Sequence, residues 1–266
     1  MQKRLEKGKI LNTNPVPRLP EALAEEKPKL AGEMQGELNS ELIRAAAQGR
    51  ITDVEWLIDA GAEVNIFVDH KTPLMWAANN GYTGICALLI GKGANIEAFD
   101  TVNGWTVLRL AAKNGHTETC ALLLDCGASI EVKDEPSWVN GWTPLHYAAG
   151  YGHTETCAML IERYAEAGGD AGCFVNRKSA KINGCKTVLM LAAEEGFAGT
   201  CALLVAKGAD VNAKDGAGRT SLKCAEQGNK QGTAALLKST ESMQGRMGEE
   251  TYKSFISGFA ECIGGS

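Results

Sequence analysis

Nine cysteines and four histidines are the residues of this chain whose types could do chemistry. Cys86, Cys120, Cys157 and Cys201 recur at the same place in four copies of one phrase, which invites a metal ladder or a redox relay. Zinc needs its thiolates about 2.3 Å away, whereas units packed at helix–helix distances lie about 10 Å apart. Equivalent cysteines of neighbouring units therefore cannot share an ion, and these four read as small buried hydrophobes. Cys126, Cys173, Cys185 and Cys262 read as the more exposed, oxidisable thiols. No two cysteines form a CxxC pair and the first ten residues are charged, so reduced thiols in an intracellular chain are expected. His70, His116, His146 and His153 match no metal-binding spacing such as HExxH. His116 and His153 each follow a glycine at the start of a helix, and His146 reads as the partner of the Thr143 hydroxyl. There is no GxSxG, no P-loop and no GxGxxG behind a strand. Glu194 and Glu195 are adjacent on a helix and point in different directions. These residues nominate no catalytic group, no metal site and no cofactor.

The elements that must position them repeat. GYTGICALLIGKGANIE (81–97), GHTETCALLLDCGASIE (115–131) and GFAGTCALLVAKGADVN (196–212) are near copies, and GHTETCAMLIERY (152–164) begins a fourth. Each is preceded by a phrase of the type KTPLMWAANNG, and weaker copies flank the four. The leucine of that phrase falls at Leu42, Leu74, Leu108, Leu145, Leu189 and Leu222, at intervals of 32, 34, 37, 44 and 33. A period of this size marks a stack of supersecondary units. Thr-Pro at Thr72–Pro73 and Thr143–Pro144 starts a first helix, because the hydroxyl caps free amides and proline suits the first turn. Paired alanines give that helix a narrow face. Gly81, Gly115, Gly152 and Gly196 stop it in a left-handed turn, and a second helix carries Cys-Ala-Leu-Leu inward until Gly93, Gly127 or Gly208 ends it. No such pair buries its stripe alone, so stacking must supply the core.

Gly141-Trp142-Thr143-Pro144-Leu145-His146-Tyr147-Ala148-Ala149 followed by Gly152-His153 resembles the ankyrin repeat. The resemblance covers about 40–237 in six units and implies an all-α ankyrin-repeat solenoid of helix-turn-helix units. Their expected bounds are 40–66, 70–99, 104–133, 141–176, 185–214 and 218–237 within an array at 37–237. The family's proline is replaced at Val107, Val188 and Ser221, and its histidine at Met75, Arg109, Met190 and Lys223. The sixth unit lacks the double alanine and has its glycine, Gly228, one place early. A short array with little else also resembles the stand-alone ankyrin proteins of some protists.

Residues 1–36, rich in Lys, Glu and proline, read as a disordered or partly helical tail. Residues 238–266 read as a C-terminal amphipathic helix, with Tyr252, Phe255, Ile256, Phe259 and Ile263 on one face to cap the stack. Two insertions, 134–140 with Pro136, Trp138 and Val139, and roughly 165–183, are expected in loops.

The 27 basic and 32 acidic residues leave a net charge of −5, which argues against nucleic acid and anionic membranes as partners. No apolar run reaches membrane-spanning length. The expectation is a cytoplasmic, monomeric, non-enzymatic scaffold or adaptor that binds a protein. In ankyrin-like units the loop tips and first helices line a concave face, and the resemblance carries partner binding onto Trp105, Lys113, Asn114, Trp138, Val139, Asn140, Trp142 and Tyr151. Tryptophan and tyrosine are favoured interface anchors. The competing readings are a regulator or inhibitor of a separate enzyme such as a kinase or protease and, more remotely, a thiol-dependent enzyme.

Overall fold

The computed structural model describes residues 27–131, 141–180 and 184–244. These residues form thirteen helices. Five hairpins pair α1 (Lys27–Gln48) with α2 (Ile51–Asp59), α3 (Pro73–Asn79) with α4 (Thr83–Gly91), α5 (Val107–Lys113) with α6 (Thr117–Asp125), α7 (Pro144–Gly150) with α8 (Thr154–Glu166), and α10 (Val188–Glu195) with α11 (Ala198–Ala206). Helix α9 (Ala171–Val175) interrupts the series after α8, and α12 (Ser221–Gln227) with α13 (Gln231–Gln244) makes the sixth pair. Among the described residues the only β-type pairing is three isolated bridges at the feet of the connecting loops, Val68–Lys71, Phe99–Thr106 and Lys178–Thr187. The described residues form an all-α solenoid of stacked helical hairpins.

Threonine starts each first helix from the second unit onward. Thr72, Thr106, Thr143, Thr187 and Thr220 are extended, and each hydroxyl accepts from the amide three residues on. In two units methionine closes the box that His146 closes in the fourth: the Thr72 and Thr187 amides donate to Met75 Sδ and Met190 Sδ at 3.5 and 3.4 Å. The alanine pairs Ala77–Ala78, Ala111–Ala112, Ala148–Ala149 and Ala192–Ala193 are fully buried, which lets the first helices pack closely. Gly115 sits at φ +72°, and a Cβ there would lie 2.4 Å from the ring of His153 in the next unit. Glycine is thus required twice over, by backbone conformation and by the ring that seats on it. The same seat holds Tyr82 on Gly49, His116 on Gly81, Phe197 on Gly152 and Lys230 on Gly196. In the sixth unit the early Gly228 is helical, and the left-handed residue is Asn229, at φ +56°.

Hydrogen bonds tie each unit to the next. Thr83 meets Thr119 at 2.7 Å, Thr117 meets Thr156 at 2.8 Å, and Thr154 meets Thr200 at 2.7 Å, hydroxyl to hydroxyl. His116 and His153 bridge to the Asn79 and Lys113 carbonyls of the unit before, at 3.0 and 2.8 Å. Asn65 and Asn176 each accept from a backbone amide of the following unit and donate to a carbonyl beside it. Cys86, Cys120, Cys157 and Cys201 are fully buried in the core with Leu89, Leu123, Leu160 and Leu204.

Helix α1 begins at Lys27, inside the segment read as disordered or partly helical, and in its middle turns Gln35 donates to the Gly61 carbonyl and Asn39 accepts from the Glu63 amide, both at 2.8 Å. The segment at 165–183 is not a plain loop. Helix α8 runs thirteen residues where its counterparts run nine, and α9 returns the chain with Phe174 buried and stacked on Tyr164, 4.2 Å between centroids. Helix α13 continues past 237 to Gln244, whereas the amphipathic pattern at 252–263 and the tail at 1–26 lie outside the described residues.

Candidate protein-binding surface

The threonine caps fix the register of the first-helix positions in every unit. The residue before the cap and those four, seven and eight after it run in rows across the units. In the second unit they are Lys71, Trp76, Asn79 and Asn80; in the third, Trp105, Leu110, Lys113 and Asn114; in the fourth, Trp142, Tyr147, Gly150 and Tyr151. Tyr147, only 4% exposed, forms the floor. Trp105 and Trp142 meet it edge-on from either side, at 5.4 and 5.1 Å between centroids and with planes about 65° apart. Lys113 Nζ stands 4.4 Å from the Trp105 centroid and 5.5 Å from that of Tyr151. Tyr151 stacks on His153 and remains 49% exposed. Such ammonium-over-ring contacts are favourable and hold the charge in place at the surface.

Trp105, Lys113, Trp142 and Tyr151 therefore come together as one cluster around Tyr147. Asn114 adjoins it, but its amide group is engaged between units, donating to Asn79 and to the Leu110 carbonyl. Trp138, Val139 and Asn140 lie outside the described residues. The tryptophans are half-buried rather than fully exposed; Trp105 packs across to Tyr147 of the next unit, and the Trp142 indole nitrogen is buried and makes no hydrogen bond among the described residues. A second ammonium–ring pair extends the surface toward the N-terminus, with Lys71 Nζ 4.5 Å from the Trp76 centroid. On the other side Lys186 is paired with Glu194, and Arg219 with Asp215.

Sequence reasoning missed Phe67, Phe99 and Val102, exposed by 45, 55 and 56%. Phe67 and Phe99 hold the same place in successive connecting loops, where later units carry Lys133 and Lys214. Phenylalanine at a place otherwise given to lysine is the signal that would have found them.

The chemistry weighed from the sequence finds little support in the geometry. Burial pushes the thiols of Cys86, Cys120 and Cys201 up to about 12, and that of Cys157 further, so these four stay protonated. Cys126 and Cys173 are exposed and Cys185 is partly so; Cys262 lies outside the described residues. His146 is wholly buried in its capping box, 2.8 Å from the Thr143 hydroxyl, and burial lowers its pKa to about 4. No group of three or more His, Cys, Asp and Glu side chains suited to a metal occurs among the described residues. None of their helices is long and apolar enough to cross a membrane.

A family model described as ankyrin repeats (3 copies) matches residues 42–134, 99–171 and 126–215. The Ankyrin repeat and KH domain-containing protein mask-1 of Caenorhabditis elegans is 36% identical over 74 residues, which are 28% of this chain and 3% of that protein. This chain thus spans a small fraction of that relative's length. Among solved structures, a chain from the complex of the Bd0816 predatory endopeptidase of Bdellovibrio bacteriovorus with immunity protein Bd3460 matches at a TM-score of 0.63 and 26% identity, over 74% of this chain and 96% of that chain.

Proposed function

We propose a function for this chain on one premise, that it belongs to the ankyrin-repeat family: it is a non-enzymatic scaffold or adaptor, placed in the cytoplasm, that binds a protein partner across the first helices of its second to fourth units. The observation that carries this reading is the cluster of Trp105, Lys113, Trp142 and Tyr151 built on the buried ring of Tyr147. Rigid aromatic side chains that are already ordered lose little entropy on binding and give up large area, which is why such residues anchor interfaces. A repeat array suits the role, because its surface positions vary without disturbing the stack.

The test is affinity capture with the full chain and with Trp142→Ala plus Tyr151→Ala, after matching thermal melts establish that both are folded. Partners retained by the wild type and lost by the double variant are expected. Equal recovery of every partner would remove the cluster from the function.

A second reading is regulation or inhibition of a separate enzyme, with a protease the first to try. What favours it is the likeness to a chain from an endopeptidase–immunity protein complex, which this chain covers almost end to end. Captured partners that are hydrolases, and whose activity falls when this chain is added, would select this reading over a passive scaffold.

A further inference from the structure

Two lysines on the binding surface are held by rings rather than by carboxylates. Arg44, Arg50, Lys92, Arg163, Arg177, Lys186, Lys207 and Arg219 all have a carboxylate within ion-pair distance. Lys71 and Lys113 have none among the described residues; their partners are the rings of Trp76, Trp105 and Tyr151. An ammonium over an indole face keeps most of its charge available to a third group, while the ring limits the rotamers it can adopt. These two charges stand in neighbouring units of a chain whose net charge is −5, so they form a local positive strip on an acidic molecule.

Resting on the binding reading above, we propose that the segment captured by this surface is an extended acidic stretch of a partner protein. It places one carboxylate on Lys71 and another on Lys113, with an apolar side chain beside them against Trp105 and Trp142. Units repeat about every 10 Å. An extended chain advances about 3.3 Å per residue, so the two carboxylates are carried by separate residues of one extended segment. Trp105, under Lys113, and Trp142 in the next unit supply the apolar contact.

The test is selection from a random twelve-residue peptide library displayed on phage, with the immobilised full chain as bait. Selected peptides are then synthesised and titrated against the wild type, Lys71→Gln plus Lys113→Gln, and Trp105→Ala plus Trp142→Ala. Peptides enriched in Asp or Glu at two or more positions are expected. Their affinity should fall about tenfold in the double lysine variant and also between 0.1 and 0.5 M salt. Peptides that lose binding in the tryptophan variant yet carry no acidic enrichment, or ignore the lysine substitutions, would overturn the acidic partner and leave the surface standing. Peptides indifferent to the tryptophan variant, or no selectable peptide at all, would count against the surface itself. Both lysines are partly exposed and their ammonium groups make no hydrogen bond or ion pair among the described residues, and an unchanged melting temperature of the lysine variant checks that its fold is intact.

Discussion

Replacing His146 with methionine should change how the stability of the array depends on acid. In the folded chain His146 is wholly buried and titrates near 4 rather than 6.5; desolvation is the main cause, and the charges of Arg177 and Arg109 act in the same direction. Between those values the unfolded chain holds a proton on this ring that the folded chain does not. Stability from keeping the ring neutral is therefore complete above about pH 6.5 and is lost as the pH falls toward 4. At 1.36 kcal/mol per pH unit the loss comes to about 3 kcal/mol. Met75 and Met190 already close the same box in other units without a titrating group. His146→Met gives up the 2.8 Å contact with the Thr143 hydroxyl, at a cost of about 1 kcal/mol near pH 8. The variant should accordingly be the less stable protein at pH 8 and the more stable at pH 4, with the crossing between about pH 5 and 6. Urea unfolding followed by tryptophan fluorescence at several pH values measures this, since Trp105 and Trp142 flank Tyr147 one residue from His146. Other titrating groups affect both proteins alike and cancel in the difference. Two curves that stay parallel from pH 8 to 4 would refute the reasoning.

Three further outcomes follow from the packing. Iodoacetamide at pH 8 should modify Cys126 and Cys173 rapidly in the folded chain while Cys86, Cys120, Cys157 and Cys201 react only after urea, read by peptide mass mapping; fast labelling of any of those four would reopen thiol chemistry. Thr156→Val keeps the side-chain shape but strands the Thr117 hydroxyl 2.8 Å away, and should cost about 1 kcal/mol in urea unfolding, largely restored by Thr156→Ser. Phe174→Ala removes a buried ring stacked on Tyr164 and should cost about 3–5 kcal/mol, with trypsin newly cutting at Arg163 or Arg177; an unchanged digestion rate would mean that α9 does not hold this segment.

Much of the architecture is legible because each unit restates it. Thr, Leu, Ala-Ala and Gly recur at fixed offsets, and each does a local job that needs no knowledge of distant contacts. Relations between units are harder to read. Nothing inside one unit announces that the ring of His153 sits on Gly115, or that Thr154 pairs with Thr200, although the recurrence of Gly-His and Thr-x-Thr records both. The meeting of Trp105, Trp142, Tyr151 and Lys113 follows from counting positions against the threonine cap. That Tyr147 forms their floor, and that the indoles are half-buried, depends on packing between units. The segment at 165–183 escaped because its glycines suggest a loop, whereas the pairing of Tyr164 with Phe174 across the turn is a tertiary contact. The start of helix α1 at Lys27 is not marked in the sequence, because Gln35 and Asn39 are tied down by the neighbouring loop rather than by an apolar stripe of their own.

The seating of each residue on the glycine before it has a bearing on how the chain can change its length. Every joint uses the same socket, and the plug has been Tyr82, His116, His153, Phe197 or even the stem of Lys230. A whole hairpin excised from one threonine to the next brings a socket and a plug together that already fit. Growth or shrinkage of the gene in whole steps should thus leave a foldable product, whereas a cut of half a step would leave one joint without its mate.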